Sequence, residues 1–263
     1  MSIYRARDYH EEYRSTAAAG DVPMLDGVVD RTVPDFDAGK ILRLVPAPAL
    51  GSVADIGCGS ATLLRTMADD DALTSCSLRG VLPSPEEVTL TRQLCSSRPQ
   101  WSRIEISLGD ATSTGLPSAS QDCVSMNQMF HYLSDESAPR ALSEAHRILR
   151  EGGMLYIGGL PDQDEFSHLK QDDTAWSWFT ANALHAASIR EGGLATARVL
   201  RYAVTRRAFV LRLRTPFHCR PAEFRTLLEA AGFKNVTISR YTLLDQSGAE
   251  VDHRYRWDYT ASR

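Results

Sequence analysis

The sequence predicts an α/β protein: a doubly wound, mostly parallel seven-stranded sheet with an N-terminal helical segment and an inserted helical cap. Three observations carry that expectation. Strand-like and helix-like runs alternate from 52 to 160 as five strand–helix repeats, the pattern of parallel strands joined by crossovers. The first strand breaks into a glycine-rich turn, "VADIGCGSA" at 53–61. Later, "NVTISRYTLLD" and "HRYRWDYTAS" alternate like strands and are joined by the polar "QSGAEVD", which predicts an antiparallel pair.

In chain order, residues 3–15 read as a helix carrying Tyr4, Tyr9 and Tyr13, and "AGKILRLVPAPA" (38–49) is a second apolar stretch. "SVADI" is a short buried strand and "SATLLRTMAD" the helix after it. "LRGVL" is the second strand. Ser84 caps the helix that follows, with Pro85 at its first position and Glu86 and Glu87 near its positive end. "RIEISLGD" and "DCVSMNQMF" are the third and fourth strands. "DESAPRALSEAHRIL" places its apolar residues 142, 145, 148 and 149 on one helical face, and "EGGMLYIGG" closes that helix with glycine and starts a fifth strand. "PAEFRTLLEAAGF" is an amphipathic helix. The chain is expected to be one domain, with a helical lid at 1–50, a ligand-binding core at 51–160, a cap at 161–220 and a closing helix and strand pair at 221–263.

Composition narrows the classes. A chain of 263 residues with 43% hydrophobic and 24% charged residues builds a sizeable core. Its net charge of −4 provides no global basic field for nucleic acid. No apolar run approaches the roughly 18 residues that span a bilayer. The N-terminus, "MSIYRARDYHEEYRS", is too charged for a secretory signal, so a cytoplasmic location is expected. Five scattered cysteines (58, 76, 95, 123, 219), with no C-x-x-C pair, argue against a disulfide framework or a zinc site. No metal is expected.

The glycine turn decides the chemistry. A phosphate-binding P-loop needs a lysine after its last glycine, and "GSATL" has none. A dinucleotide fingerprint needs a third glycine where Thr62 stands, and an aspartate just before the turn repels a pyrophosphate. A carboxylate beside a close backbone approach suits a cationic, donor-rich ligand. Read alone, the motif also fits a ligand-free strand-to-helix turn.

With that pattern in view, the stretch resembles the first motif of class I S-adenosylmethionine-dependent methyltransferases. "LGDA" (108–111), "QDCVSMNQMFHYLSD", "EAHRILREGGMLYIGG" and "LLEAAGFKNVTIS" are similar to later motifs of that family in order and spacing. The resemblance implies that Asp55, Gly57, Cys58 and Gly59 line the methionine end of S-adenosylmethionine, that Asp110 and Ala111 hold the adenine, and that Asn127 offers backbone contacts near the sulfonium. Ala61 stands where the family often has glycine. Asp122 is expected to be a structural turn residue. One position departs. Where the family ends its second strand with an acid for the ribose hydroxyls, alignment of "SPEEV" puts Leu82. Either backbone or a neighbour such as Ser84 holds the ribose, or the pocket has drifted from cofactor use. A carboxylate placed at 82 is expected to be partly solvated.

The resemblance implies methyl transfer of bacterial, biosynthetic type to a small-molecule or carrier- or sugar-linked acceptor, with oxygen favoured. The rivals are a cofactor-binding relative that catalyses a cyclisation or isomerisation, and a non-catalytic partner protein. His131 follows the fourth strand and is placed either as a general base or as pocket wall. Tyr132 borders the acceptor or packs in the core. Tyr9, His10 and Tyr13 either close over the ligand or form a plain aromatic helix face. Trp176 and Trp178 cover an apolar acceptor or a satellite core. Seven arginines at 198–220 with no acid from 192 to 222 offer a place for an anionic ligand, or a solvated face.

Overall fold

The structure is a computed structural model that describes residues 39–44, 50–164, 217–244 and 249–263. Tyr9, His10, Tyr13, Trp176, Trp178 and the arginines from 198 to 214 lie outside the described residues.

Seven strands form one mixed sheet: β1 (Ser52–Ile56), β2 (Ser77–Leu82), β3 (Ile104–Leu108), β4 (Gln121–Asn127), β5 (Leu149–Pro161), β6 (Lys234–Leu244) and β7 (Glu250–Ser262). Their order is β3-β2-β1-β4-β5-β7-β6. The first five run parallel, and β7 enters antiparallel between β5 and β6. Every residue of β1 is buried, as a central parallel strand covered on both faces requires. The helices are α1 (Thr62–Ala68), α2 (Pro85–Cys95), α3 (Ser137–Ile148) and α4 (Pro221–Ala230), and 39–44 adds a helical turn. Ser84 caps α2 as expected, its hydroxyl accepting from the Glu87 amide at 3.1 Å. On α3 the apolar face is Ala138, Ala141, Leu142, Ala145 and Ile148, all fully buried.

Three sequence expectations are corrected. The five strand–helix repeats are five strands with three α-helices, because the 109–120 connection from β3 to β4 holds no helix. The segment is built from short turns, with a bridge between Asp110 and Ser113. Glycine does not close α3 either. The helix stops at Ile148 because Leu149 is already extended, and Gly152 (φ +74°) lies within β5 beside a register shift against β4. The fourth strand ends at Asn127, three residues earlier than read. Gln128 adopts φ +52°, which no strand continues, and Phe130–Tyr132 form a 3₁₀ turn.

The core divides about the sheet. One cluster gathers Ile41, Val53, Leu64, Met67, Leu78 and Leu82 around β1, β2 and β3. The other, on the opposite face and drawing also on Ala54, Ile56 and Val81, centres on Phe224, whose ring meets Phe130 and Tyr259 edge-on at 5.1 and 4.6 Å.

Candidate cofactor site

The C-terminal ends of β1, β2, β3 and β4 lie along one edge of the sheet, where doubly wound folds place ligands. Gly57 leaves β1 with φ +73°, and its amide donates to the Val81 carbonyl of β2 at 2.8 Å. A Cβ built at Gly57 would stand 3.0 Å from Cβ of Met129, so the turn and the segment after β4 approach too closely for a side chain. Ala61 caps α1 at φ +60°, a left-handed conformation that costs a residue with a Cβ about 1–2 kcal/mol. The turn is held from below. Thr91 of α2 donates its hydroxyl to the Gly59 carbonyl at 2.9 Å, and the Arg65 guanidinium donates to Ser60 Oγ and Thr62 Oγ1 at 3.1 and 2.9 Å.

Side chains at the predicted positions have different destinations. Asp55 is buried, and its charge adds to burial in raising the Cys58 and Cys123 thiols above the ordinary range. The Cys58 thiol turns into the core, where only the missing side chain of Gly80 makes room: a Cβ there would lie 2.6 Å from its sulfur. Cys58 therefore offers the crevice its backbone alone. Leu82 ends β2 as aligned, 2% exposed and packed in the first core cluster, so a carboxylate there would be buried and not partly solvated. Its carbonyl accepts from the Gly109 amide at 2.9 Å, which ties the β3 exit to β2. Asp110 is exposed, with Oδ1 accepting from the Thr112 amide and hydroxyl at 2.6 and 2.7 Å; Ala111 is buried. Asn127 ends β4 opposite Gly158. Asp122 is structural, as expected: it accepts from the Gly51 amide, the Ser52 hydroxyl and Arg150.

His131 is buried, its Nδ1 has no partner among the described residues, and its ring lies 4.1 Å from that of half-buried Tyr132. Burial, and then the nearby Arg256 charge, push its pKa well below the ordinary histidine range. The Arg256 guanidinium donates to the Gly159 carbonyl at 3.0 Å and to Gln128 Oε1 at 3.3 Å. Burial and the same charge bring His253 to about 4. Within the arginine-rich run, Arg220 pairs with Asp164 and Glu223 at 2.9 and 2.7 Å, so its charge is balanced locally.

Sequence reasoning missed three residues here. Met129 was read as strand but faces Gly57. Arg256 comes from β7, and no local pattern ties it to β4. Glu87 was read only for its charge near a helix end, yet it is 2% exposed and its Oε2 has no partner among the described residues. Its Ser-x-x-Glu spacing with Ser84 is the one signal that could have marked it. Among the described residues, no group of three or more His, Cys, Asp or Glu is placed to hold a metal ion.

A mostly parallel sheet of this order, with a glycine cradle where β1 meets α1 and a buried acid beside it, defines the Rossmann-like class. Residues 54–157 match the methyltransferase domain family, a class I family whose methyl donor is S-adenosylmethionine. An uncharacterized 37.1 kDa protein of a Streptomyces fradiae transposon is 34% identical over 136 residues, covering 50% of this chain and 37% of its own. Ribosomal RNA large subunit methyltransferase G of Aeromonas hydrophila is 27% identical over 150 residues, covering 55% and 38%. The chain thus spans under two fifths of the length of either relative. Among solved structures, a protein in complex with the Trm112 methyltransferase activator of Haloferax volcanii is similar with a TM-score of 0.61 at 18% identity, over 95% of this chain and 97% of that one. No helix among the described residues is long and apolar enough to cross a membrane.

Proposed function

We propose that this chain transfers the methyl group of S-adenosylmethionine to a small-molecule or carrier- or sugar-linked acceptor, with oxygen the favoured atom. The observation that carries the reading is the cradle at Gly57, where a side chain has no room, since a Cβ would stand 3.0 Å from that of Met129, beside buried Asp55. When bound, the cofactor supplies a methyl carbon already activated by its sulfonium. In this reading Asp55 and the backbone of Gly57, Cys58 and Gly59 hold the methionine end. Asp110 and Ala111 hold the adenine, Asp110 through Oδ2, and Asn127 lies towards the sulfonium. Tyr132 walls the acceptor side. Tyr9 and Tyr13 remain candidates for closing it, and the arginines from 198 to 214 remain candidates for an anionic acceptor group.

Oxygen is favoured because of His131. Its imidazole is neutral at pH 7, since burial and Arg256 oppose its charging. A neutral ring with an unpartnered nitrogen is in the form a general base needs, while the burial and charge that keep it neutral also lower its strength as a base. Alignment and exclusion of water supply the rest of the rate.

Titration calorimetry with S-adenosylhomocysteine should show micromolar binding; absence of heat would sink the reading. With methyl-labelled S-adenosylmethionine and a panel of phenols, His131→Ala should lower turnover about 10²–10⁴-fold at nearly unchanged cofactor affinity. A loss below about threefold would return His131 to the pocket wall.

A further inference from the structure

The Leu82 position leaves a chemical gap. A ribose presents two adjacent hydroxyl donors, and the end of β2 offers them only an apolar side chain, 2% exposed. Five residues on, in the first turn of the next helix, stands a carboxylate without an assigned task. Glu87 lies in the first turn of α2, four residues before Thr91, so the two share a face of the helix. Thr91 uses that face to donate to the Gly59 carbonyl at 2.9 Å, and the Glu87 charge reaches the Cys58 thiol of the same turn. Glu87 therefore faces the glycine turn at the ligand end of the helix. Ser84 steadies the carboxylate through its hydroxyl and backbone, as in a capping box. That leaves Oε2 buried and unpartnered among the described residues. A buried carboxylate oxygen with no donor is costly, and a structure retains it where a donor arrives from outside.

We infer that Glu87 is the ribose-hydroxyl acceptor of this site, supplied from the first turn of α2 in place of a side chain at the end of β2. The inference rests on the S-adenosylmethionine reading above. Its chemistry needs the ionised carboxylate, which accepts from both hydroxyls. Burial holds the Glu87 pKa up at about 7 in the ligand-free protein, so the group is partly protonated at neutral pH. Arriving donors stabilise the charged form, and binding expels that proton to solvent.

The test is calorimetry of the full chain with S-adenosylhomocysteine and with its 2′-deoxy and 3′-deoxy analogues. The parent and Glu87→Gln are compared, because glutamine preserves the capping box. Losing a charged acceptor should weaken S-adenosylhomocysteine binding about 10- to 100-fold. The parent should disfavour the deoxy analogues, and Glu87→Gln should bind all three nearly alike. In buffers of different ionisation enthalpy at pH 7, the parent should release about half a proton per ligand bound, and Glu87→Gln none. If the parent binds S-adenosylhomocysteine while Glu87→Gln binds it equally well, or discriminates against the deoxy analogues as strongly as the parent, this inference falls and the methyltransferase reading stands. If the parent binds no S-adenosylhomocysteine, both fall together.

Discussion

The two halves of the sheet are built by different means. On the β1–β3 side the site is framed mainly by backbone, with Asp55 and Glu87 as its buried carboxylates. Gly57 and Ala61 take left-handed conformations, amides and carbonyls cross between strand ends, and side chains such as those of Cys58 and Leu82 retreat into the core. On the β4–β7 side, buried and half-buried polar side chains are joined over long stretches of sequence. Lys40 Nζ contacts Asp258 at 3.4 Å and donates to the Thr242 carbonyl at 3.0 Å, Asp258 also accepts from the Gly159 amide at 2.9 Å, and Arg256 spans Gln128 and Gly159. A backbone-built half suits a ligand shared by many proteins, because it tolerates side-chain change. The other half fixes its shape through charges that depend on one another.

The sharpest way to break this contrast is Gly57→Val. A branched side chain meets both the positive φ and Met129, so S-adenosylhomocysteine binding should become undetectable by calorimetry. Retained binding would show that the crevice is not backbone-made. Next comes Asp258→Ala, which strands buried Lys40. Chemical denaturation should show a loss of about 3–5 kcal/mol, while any protein still folded binds the cofactor nearly as before. A cost under about 1 kcal/mol would remove the charge network from the argument.

A smaller effect belongs to Glu144 of α3, which accepts from the Thr114 amide and hydroxyl and from Arg147. Those bonds, Arg147 foremost, hold its pKa at about 2, below the unfolded value of 4.5. A depressed carboxylate stabilises the fold above its unfolded pKa. About 2–3 kcal/mol should therefore be lost as pH falls from about 4.5 to 2. Glu144→Gln should flatten that part of the stability curve measured by urea titration, and an unchanged slope would count against the assignment. Leu82→Asp tests the β2 end: trading a buried leucine for a carboxylate among apolar neighbours should cost at least about 3 kcal/mol of stability. A melting temperature equal to the parent's, with tighter S-adenosylhomocysteine binding, would mean that the β2 end is open to the ribose after all.

The same contrast explains what the sequence made legible. Strand β1 and its turn were readable because glycines and small residues mark unusual backbone directly. The apolar face of α3 was readable because helical periodicity exposes it. The departure at Leu82 was readable from the serine-proline-glutamate run beside it. The missing helix between β3 and β4 was not, since alternation along the chain does not reveal how a connection crosses a sheet. Nor were the partners of Lys40 and Gln128, which lie 218 and 113 residues away at Asp258 and Tyr241. The inward turn of Cys58 depends on Gly80 in another strand, which no reading of "DIGCGSA" alone contains.

The strand order has a consequence for how the chain emerges during synthesis. β7 fills the slot between β5 and β6, although it follows both in sequence. While the ribosome still holds β7, the nascent β5 has one side paired with β4 and the other bare from Met154 to Pro161, nearly all of it buried in the finished protein. An unpaired apolar margin of that length invites pairing between neighbouring chains. The parallel half can assemble early, but β5 is protected only when β7 arrives, so a ribosome pausing before residue 250 would leave the molecule at its most adhesive.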